Sequence, residues 1–187
     1  LPESADFRTV CSRLGLRVLT QIAATQGARA AFHVKEPKAN DMMRAEWEHS
    51  LATAVCADTF AAAIVPEARA DIFSAALLQD IGRVVLMHAL FTHFHGRTGD
   101  LRENMEHLGQ AVVKVQAFAG LLVARQWNLT AKDRAAIACH LPTAAVPRED
   151  LKPVVYMVQL ASALAHFMRR PGIETEAPHL VDLPAIS

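Results

Sequence analysis

The chain has 187 residues, and its 19 Lys and Arg residues balance its 19 Asp and Glu residues. Apolar residues make up 52% and charged residues 20%, which excludes a disordered chain, and the absence of a dense basic stripe excludes the charge pattern of a nucleic-acid-binding protein. No run approaches the roughly 20 uncharged apolar residues of a membrane helix, so we expect a soluble protein with one hydrophobic core.

The ends and the cysteines of the chain indicate its compartment. The chain begins at Leu1 and has no signal-peptide pattern, which predicts a cytoplasmic fragment of a longer protein. Cys11, Cys56 and Cys139 lie far apart in apolar helical contexts, without a CxxC or other metal-ligand spacing. We therefore expect reduced core thiols.

Hydrophobic periodicity predicts helices in the first part of the chain. A short helix is expected to end near Leu14, and a second is expected at residues 16–32, with Gly15 as the stop between them. After a polar break at residues 33–38, a long third helix is expected at residues 40–65.

A fourth helix is expected at residues 67–88, and it contains the sequence AALLQDIGR from Ala75 to Arg83. Inside this helix Gln79 and Asp80 stand side by side between apolar blocks, and the 3.6-residue period turns Asp80 towards the apolar face. Buried polar groups are costly unless they have partners. The pair therefore belongs to a hydrogen-bond network, is a ligand pair, or is the remains of one.

The second part of the chain predicts a loop at residues 92–100, followed by more helices. These helices are expected at residues 101–108, at 110–127, from Thr130 to about Cys139, and from 147–150 to about Arg170. Thr130 and Asp133 form a capping-box-like start. No convincing period-two strand appears, so we predict an all-α compact bundle in which Gly82 and Gly120 mark close helix contacts.

Five sequence stretches follow a characteristic order and spacing. They are WEHSLATA from Trp47, AALLQDIGRVVL from Ala75, QAFAGLLVARQW ending at Trp127, AIACHLP from Ala136 and VQLASALA from Val158. Together they resemble the HDOD domain, a bacterial signalling module related to the metal-dependent HD phosphohydrolases. The resemblance implies an HD-domain-like helical bundle at residues 1–174, without the family's N-terminal helical segment, and a tail at 175–187.

The metal-ligand positions of the HD hydrolases are only half kept. His49 occupies the first histidine position, and Asp80 keeps the carboxylate of the His-Asp pair. Gln79 replaces the histidine of that pair, and Ser162 stands where a late aspartate is expected. Amides and hydroxyls are weak ligands for divalent ions, whereas imidazoles and carboxylates are good ones.

Two further histidine positions of such sequences are also altered. Gln116 stands at one, and a pair of histidines has become His140 and Leu141. The resemblance thus implies a non-hydrolysing domain with no cofactor and no bound metal. Its partners would be proteins, or a fused receiver or cyclic-dinucleotide signalling domain, as in the output domain of a response regulator.

Three functions are therefore open. The first is a non-enzymatic regulatory domain whose polar remnant forms a buried hydrogen-bond network. The second is a residual metal-dependent phosphohydrolase or cyclic-dinucleotide phosphodiesterase, which the survival of His49, Asp80 and His140 favours. The third is a pocket that binds a nucleotide without cleaving it.

Other candidate residues are interpreted as structural or solvated. Trp47 and Trp127 are expected to pack in the core, and Ser50 lacks the Gly-flanked elbow of a nucleophile. Three histidines with loosely metal-like spacing are expected to be solvated in and beside a loop, namely His88, His93 and His95.

Overall fold

The computed structural model describes residues 21, 23–33, 37–93, 98–141, 145, 146 and 148–169, without the side chains of residues 30, 37–39, 98–107 and 169. Six α-helices follow one another: α1 (Pro37–Ile64), α2 (Arg69–Leu78), α3 (Ile81–His93), α4 (Thr98–Gln126), α5 (Ala131–Cys139) and α6 (Lys152–Arg169). A leading segment, residues 23–33, precedes α1 and is helical over 23–32. The described residues contain no strand, so the predicted all-α class is confirmed.

The buried apolar side chains of the described helices form two large clusters and a smaller third one around Val155. Helix α1 packs against α2 and α6, α3 packs against α4, and α5 contacts α2, α4 and α6. Fully buried alanines of α1, at positions 54, 57 and 61, allow its neighbours to approach closely. Trp47 and Leu129 pack against both large clusters, and thereby join the α1–α2–α6 side to the α3–α4 side.

The prediction of one helix at residues 67–88 is wrong, because the chain breaks at Gln79 and Asp80 between α2 and α3. The contact of Gly82 with α4 gives a physical reason for the break. A Cβ atom on Gly82 would collide with the carbonyl oxygen of Gln116 and lie 2.5 Å from the nitrogen of Gly120. The break allows the start of α3 to press directly onto the backbone of α4, and the predicted close contacts at both glycines are confirmed.

The bounds of the predicted loop at residues 92–100 and the predicted helix break near residue 109 are also wrong, and residues 94–97 lie outside the described residues. Helix α3 continues to His93, and α4 runs without interruption from Thr98 through Gly109 to Gln126. A glycine inside a helix costs only about 1 kcal/mol relative to alanine. Burial of one face of α4, including Val112 and Ala124, outweighs this cost.

Several predictions for the chain ends lie outside the described residues. These are the short helix ending near Leu14, the stop at Gly15, Cys11, and the tail at 175–187. Helix α1 begins earlier than predicted, at Pro37, which fits the preference of proline for the first helical position.

The predicted capping box at the start of α5 is confirmed. The hydroxyl of Thr130 accepts a hydrogen bond from the backbone nitrogen of Asp133 at 3.2 Å, and the Asp133 carboxylate accepts one from the Thr130 nitrogen at 3.1 Å. Two backbone N–H groups that the helix itself cannot satisfy thus have partners.

We expect Thr130→Ala to lower the free energy of unfolding by about 1 kcal/mol, because it removes the hydroxyl that accepts from the Asp133 nitrogen and donates to the Asp133 carboxylate. Urea denaturation followed by circular dichroism measures the change. Thr59→Ala is the control, since the exposed Thr59 hydroxyl donates only within α1, to the Val55 carbonyl. Equal stability of the two variants would contradict the prediction.

The tryptophans and cysteines differ in their surroundings. Trp47 is partly buried and packs against the core, as predicted. The prediction for Trp127 is wrong, because its side chain is 47% exposed where α4 ends and Asn128 turns the chain at a φ of 52°. Cys56 is half-buried and Cys139 is buried, and both thiols are free. Burial raises the pKa of both thiols, which disfavours the reactive thiolate.

Three helical stretches are, contrary to expectation, long and apolar enough to cross a membrane by length and composition alone. They are Pro66–His93, Leu108–Gln126 and Glu149–Met168. In the first and third, 67% and 50% of the apolar window is buried inside the protein, so packing in the core accounts for much of their apolarity. The second, in α4, is only 22% buried.

Candidate functional site

The six residues singled out in the sequence come from five parts of the fold. His49 lies on α1, Gln116 on α4 and Ser162 on α6, while His140 is the C-cap of α5. Gln79 and Asp80 form the turn between α2 and α3. We call these six residues the polar cluster.

Asp80 lies at the centre of this cluster. Its Oδ1 atom is 3.4 Å from Nε2 of His140, and its Oδ2 atom is 3.8 Å from Nε2 of His49. Its side chain is only 12% exposed, so the inward direction that the helical period predicted is observed. The carboxylate therefore links α1 to the end of α5 through two imidazoles.

His140 is held by both of its ring nitrogens. Nδ1 lies 3.0 Å from the backbone oxygen of Ile137, and because a carbonyl only accepts, Nδ1 carries the hydrogen. Nε2 faces both the side-chain amide nitrogen of Gln116, at 3.2 Å, and Oδ1 of Asp80, at 3.4 Å. The amide that replaces a histidine thus occupies the nitrogen of His140 that a metal ion would need.

His49 makes its closest cluster contact with α6. Its Nε2 atom lies 3.3 Å from the hydroxyl of Ser162, the residue at the expected position of the late aspartate. The ring of His166, one turn further along α6, lies edge-on to His49 with centroids 6.4 Å apart. A hydroxyl contact between helices therefore stands where the resemblance places a metal ligand.

Gln79 is the member of the polar cluster whose side chain makes no hydrogen bond among the described residues. Its side chain is 1% exposed, and neither its amide nitrogen nor its amide oxygen has a hydrogen-bond partner. Gln116 Oε1 and Ser50 Oγ are also buried without a partner. Each such buried group costs about 1–3 kcal/mol.

The residues present do not fit the metal site of HD hydrolases. The good metal-ligand types are His49, Asp80 and His140, and Nε2 of His140 already contacts the Gln116 amide. Among the described residues, no group of three or more His, Cys, Asp or Glu side chains is placed to hold a metal ion. His88 and His93 are exposed on α3 instead of in a loop, and His95 lies outside the described residues.

Sequence reasoning missed Gln159 on α6. This buried amide donates to the backbone oxygen of Cys139 at 2.7 Å and lies 3.5 Å from that of Leu141. It thereby fixes the backbone on both sides of His140. The signal in the sequence was a lone amide in the apolar stretch VQLASALA, three residues before Ser162.

The fold defines an all-α protein of the HD-domain-like class. A crystal structure from Shewanella amazonensis SB2B, described as a candidate metal-dependent phosphohydrolase, is similar with a TM-score of 0.68 and 16% sequence identity. The match covers 96% of this chain and 62% of that chain, so this chain spans less than two thirds of its length. A likeness at this identity shows the shared fold.

The family follows from the sequence match. The HDOD domain model matches residues 7–142, and the chain belongs to the HDOD family. A search of curated proteins finds no match.

Proposed function

We propose that this domain is a non-enzymatic regulatory domain that passes a signal to a protein partner or to a fused signalling domain in the cytoplasm. One observation carries the proposal: the Gln116 side-chain amide lies 3.2 Å from His140 Nε2, the nitrogen that would bind a metal. A site organised in this way lacks the means to activate water through a metal ion.

The polar cluster serves in this proposal as a device that fixes how the helices pack. His49, Asp80 and His140, with Gln116 and Ser162, tie α1, α4, α5, α6 and the turn before α3 to one another. Polar contacts of this kind between side chains of different helices favour one arrangement of those helices. A displacement of one helix would therefore change the polar contacts of the others.

The outer face of α4 supports a protein partner. Val115, Phe118 and Leu122 recur at helical spacing on this face and are 46%, 68% and 54% exposed. The charged residues between positions 108 and 127 are Lys114 and Arg125, both positive. The face therefore suits a partner surface of apolar and acidic side chains.

Metal content and turnover test the proposal. We expect purified protein to hold no stoichiometric Fe, Mn, Zn or Mg by elemental analysis, and to hydrolyse neither nucleotides nor cyclic dinucleotides with Mg, Mn, Fe or Ni added. The alternative, a residual phosphohydrolase, rests on Asp80 lying within 4 Å of both imidazoles. Stoichiometric metal that is lost in Asp80→Ala would favour that alternative.

Restoring one ligand should not restore a metal site. We expect Gln79→His alone to show no metal-dependent hydrolysis, because Gln116 and Ser162 still occupy two further ligand positions. The triple variant Gln79→His, Gln116→His, Ser162→Asp is the matched comparison, and we expect it to gain metal affinity in isothermal titration calorimetry. Hydrolysis by the single variant would overturn this view of the cluster.

A further inference from the structure

We propose that the cleft between the leading segment and the first half of α1 binds a small anionic molecule that contains a planar ring, namely a phosphate monoester of the size of a nucleoside monophosphate. The cleft shares no residue with the polar cluster. The inference therefore goes beyond the proposed function, because it adds a site for a small-molecule input.

Residues from two segments of the chain line this cleft, and most of them are polar. Gln26, Arg29 and His33 come from the leading segment, and Asn40, Arg44 and Trp47 come from α1 at a spacing of four and three residues. That spacing places the α1 residues on one face of the helix. The cleft has a volume of about 380 Å³, at the lower end of the roughly 300–1,000 Å³ of ligand pockets. The volume suits a ligand with one ring system.

The two arginines give the cleft its preference for an anion. Arg29 has no ion pair with the described residues. Arg44 lies 3.4 Å from Asp41 and 4.0 Å from Glu48, but all three side chains are well exposed. Exposed pairs of this kind contribute about 0–1 kcal/mol, so a dianion can recruit the Arg44 guanidinium. Planar guanidinium groups match the oxygens of a phosphate.

The aromatic side chains of the cleft suit the planar ring of the proposed ligand. The Trp47 indole lies against Phe32 in an edge-to-face contact, with centroids 5.3 Å apart and an angle of 68° between the planes. Phe32 is buried and also lines the cleft, so its contact with the indole holds the indole in place there. An indole held in this way can stack on a base, and the amides of Gln26 and Asn40 line the same cleft.

Binding at this cleft would act on the rest of the fold through α1. A ligand held by Arg29 and Arg44 joins the leading segment to the helix that carries His49, two residues after Trp47. Ligand binding would thus fix the position of the leading segment on α1. This is a physical route from a small molecule to the polar cluster.

Fluorescence of Trp47 tests the proposal. The chain has two tryptophans, and Trp127→Phe leaves Trp47 as the reporter. We expect AMP to change its emission in a saturable way, and we expect Arg29→Ala and Arg44→Ala each to weaken binding by about 10- to 100-fold, because each removes hydrogen bonds to a charged group. Arg125→Ala, an exposed arginine on α4, is the control and should bind as before.

Separate ligands distinguish the two halves of the proposed site. AMP should bind more tightly than adenosine and than inorganic phosphate, because only AMP uses both the arginines and the indole. Equal affinity for phosphate and AMP would show that the ring is not recognised, and would overturn the proposal. So would a lack of any saturable change with AMP, together with no thermal stabilisation of the wild-type protein at millimolar AMP. Metal content and hydrolysis, measured separately, report on the proposed function and not on this cleft.

Discussion

Gly82→Ala is expected to lower the free energy of unfolding by about 3 kcal/mol or more, or to prevent folding. The added methyl group would collide with the backbone carbonyl of Gln116 and lie 2.5 Å from the backbone nitrogen of Gly120. Backbone atoms of a helix cannot move aside as the end of a flexible side chain can. Helices α3 and α4 would have to separate along their whole contact.

Gly109→Ala is the matched control on α4. Nothing lies within 4 Å of a Cβ atom at this position, so the substitution should raise the free energy of unfolding by about 0.5–1 kcal/mol through helix propensity. Gly120→Ala should fall between the two, because its nearest neighbour at 2.5 Å is the Ile137 side chain. Urea denaturation followed by circular dichroism measures all three. Similar stabilities for the Gly82 and Gly109 variants would contradict the close contact of α3 with α4.

The break at Gln79 and Asp80 shows where sequence reasoning about the fold ends. The apolar pattern runs on from Leu77 to Val84 across the break, because the residues on both sides are buried, although in different clusters. What separates α2 from α3 is a contact with α4, more than 30 residues later in the chain. Local signals alone were sufficient at Thr130, where the cap is made by residues three apart.

The polar cluster shows the same limit. The family resemblance brought its six residues to attention, and the helical period gave the inward direction of Asp80. Neither could say that Gln116 contacts His140, since that pairing depends on how α4 and α5 are oriented in space. The role of Gln159 was missed for a related reason, because its partners are backbone carbonyls, which the identities of the residues do not reveal.

Asp80→Ala and Gln79→Leu are expected to have opposite effects, although the residues are neighbours. Asp80→Ala should lower the free energy of unfolding by about 2 kcal/mol, because the His49 and His140 imidazoles lose the carboxylate that lies between them. Gln79→Leu should raise it by about 1 kcal/mol, because it removes a buried amide with two unsatisfied atoms and keeps most of the volume. Chemical denaturation of both variants at one pH measures the difference.

Whether Gln79→Leu raises or lowers the free energy of unfolding tests the role of the polar cluster. If Gln79 merely stands at a lost ligand position and binds nothing, leucine removes only the cost of burying an unpaired amide, and the protein gains stability. If the amide instead binds a ligand or holds an ordered water between Asp80 and its neighbours, leucine removes that bond, and stability falls as it does in Asp80→Ala. Stabilisation would therefore support a cluster whose work is packing, whereas destabilisation of about 2 kcal/mol would show that Gln79 has a partner in solution.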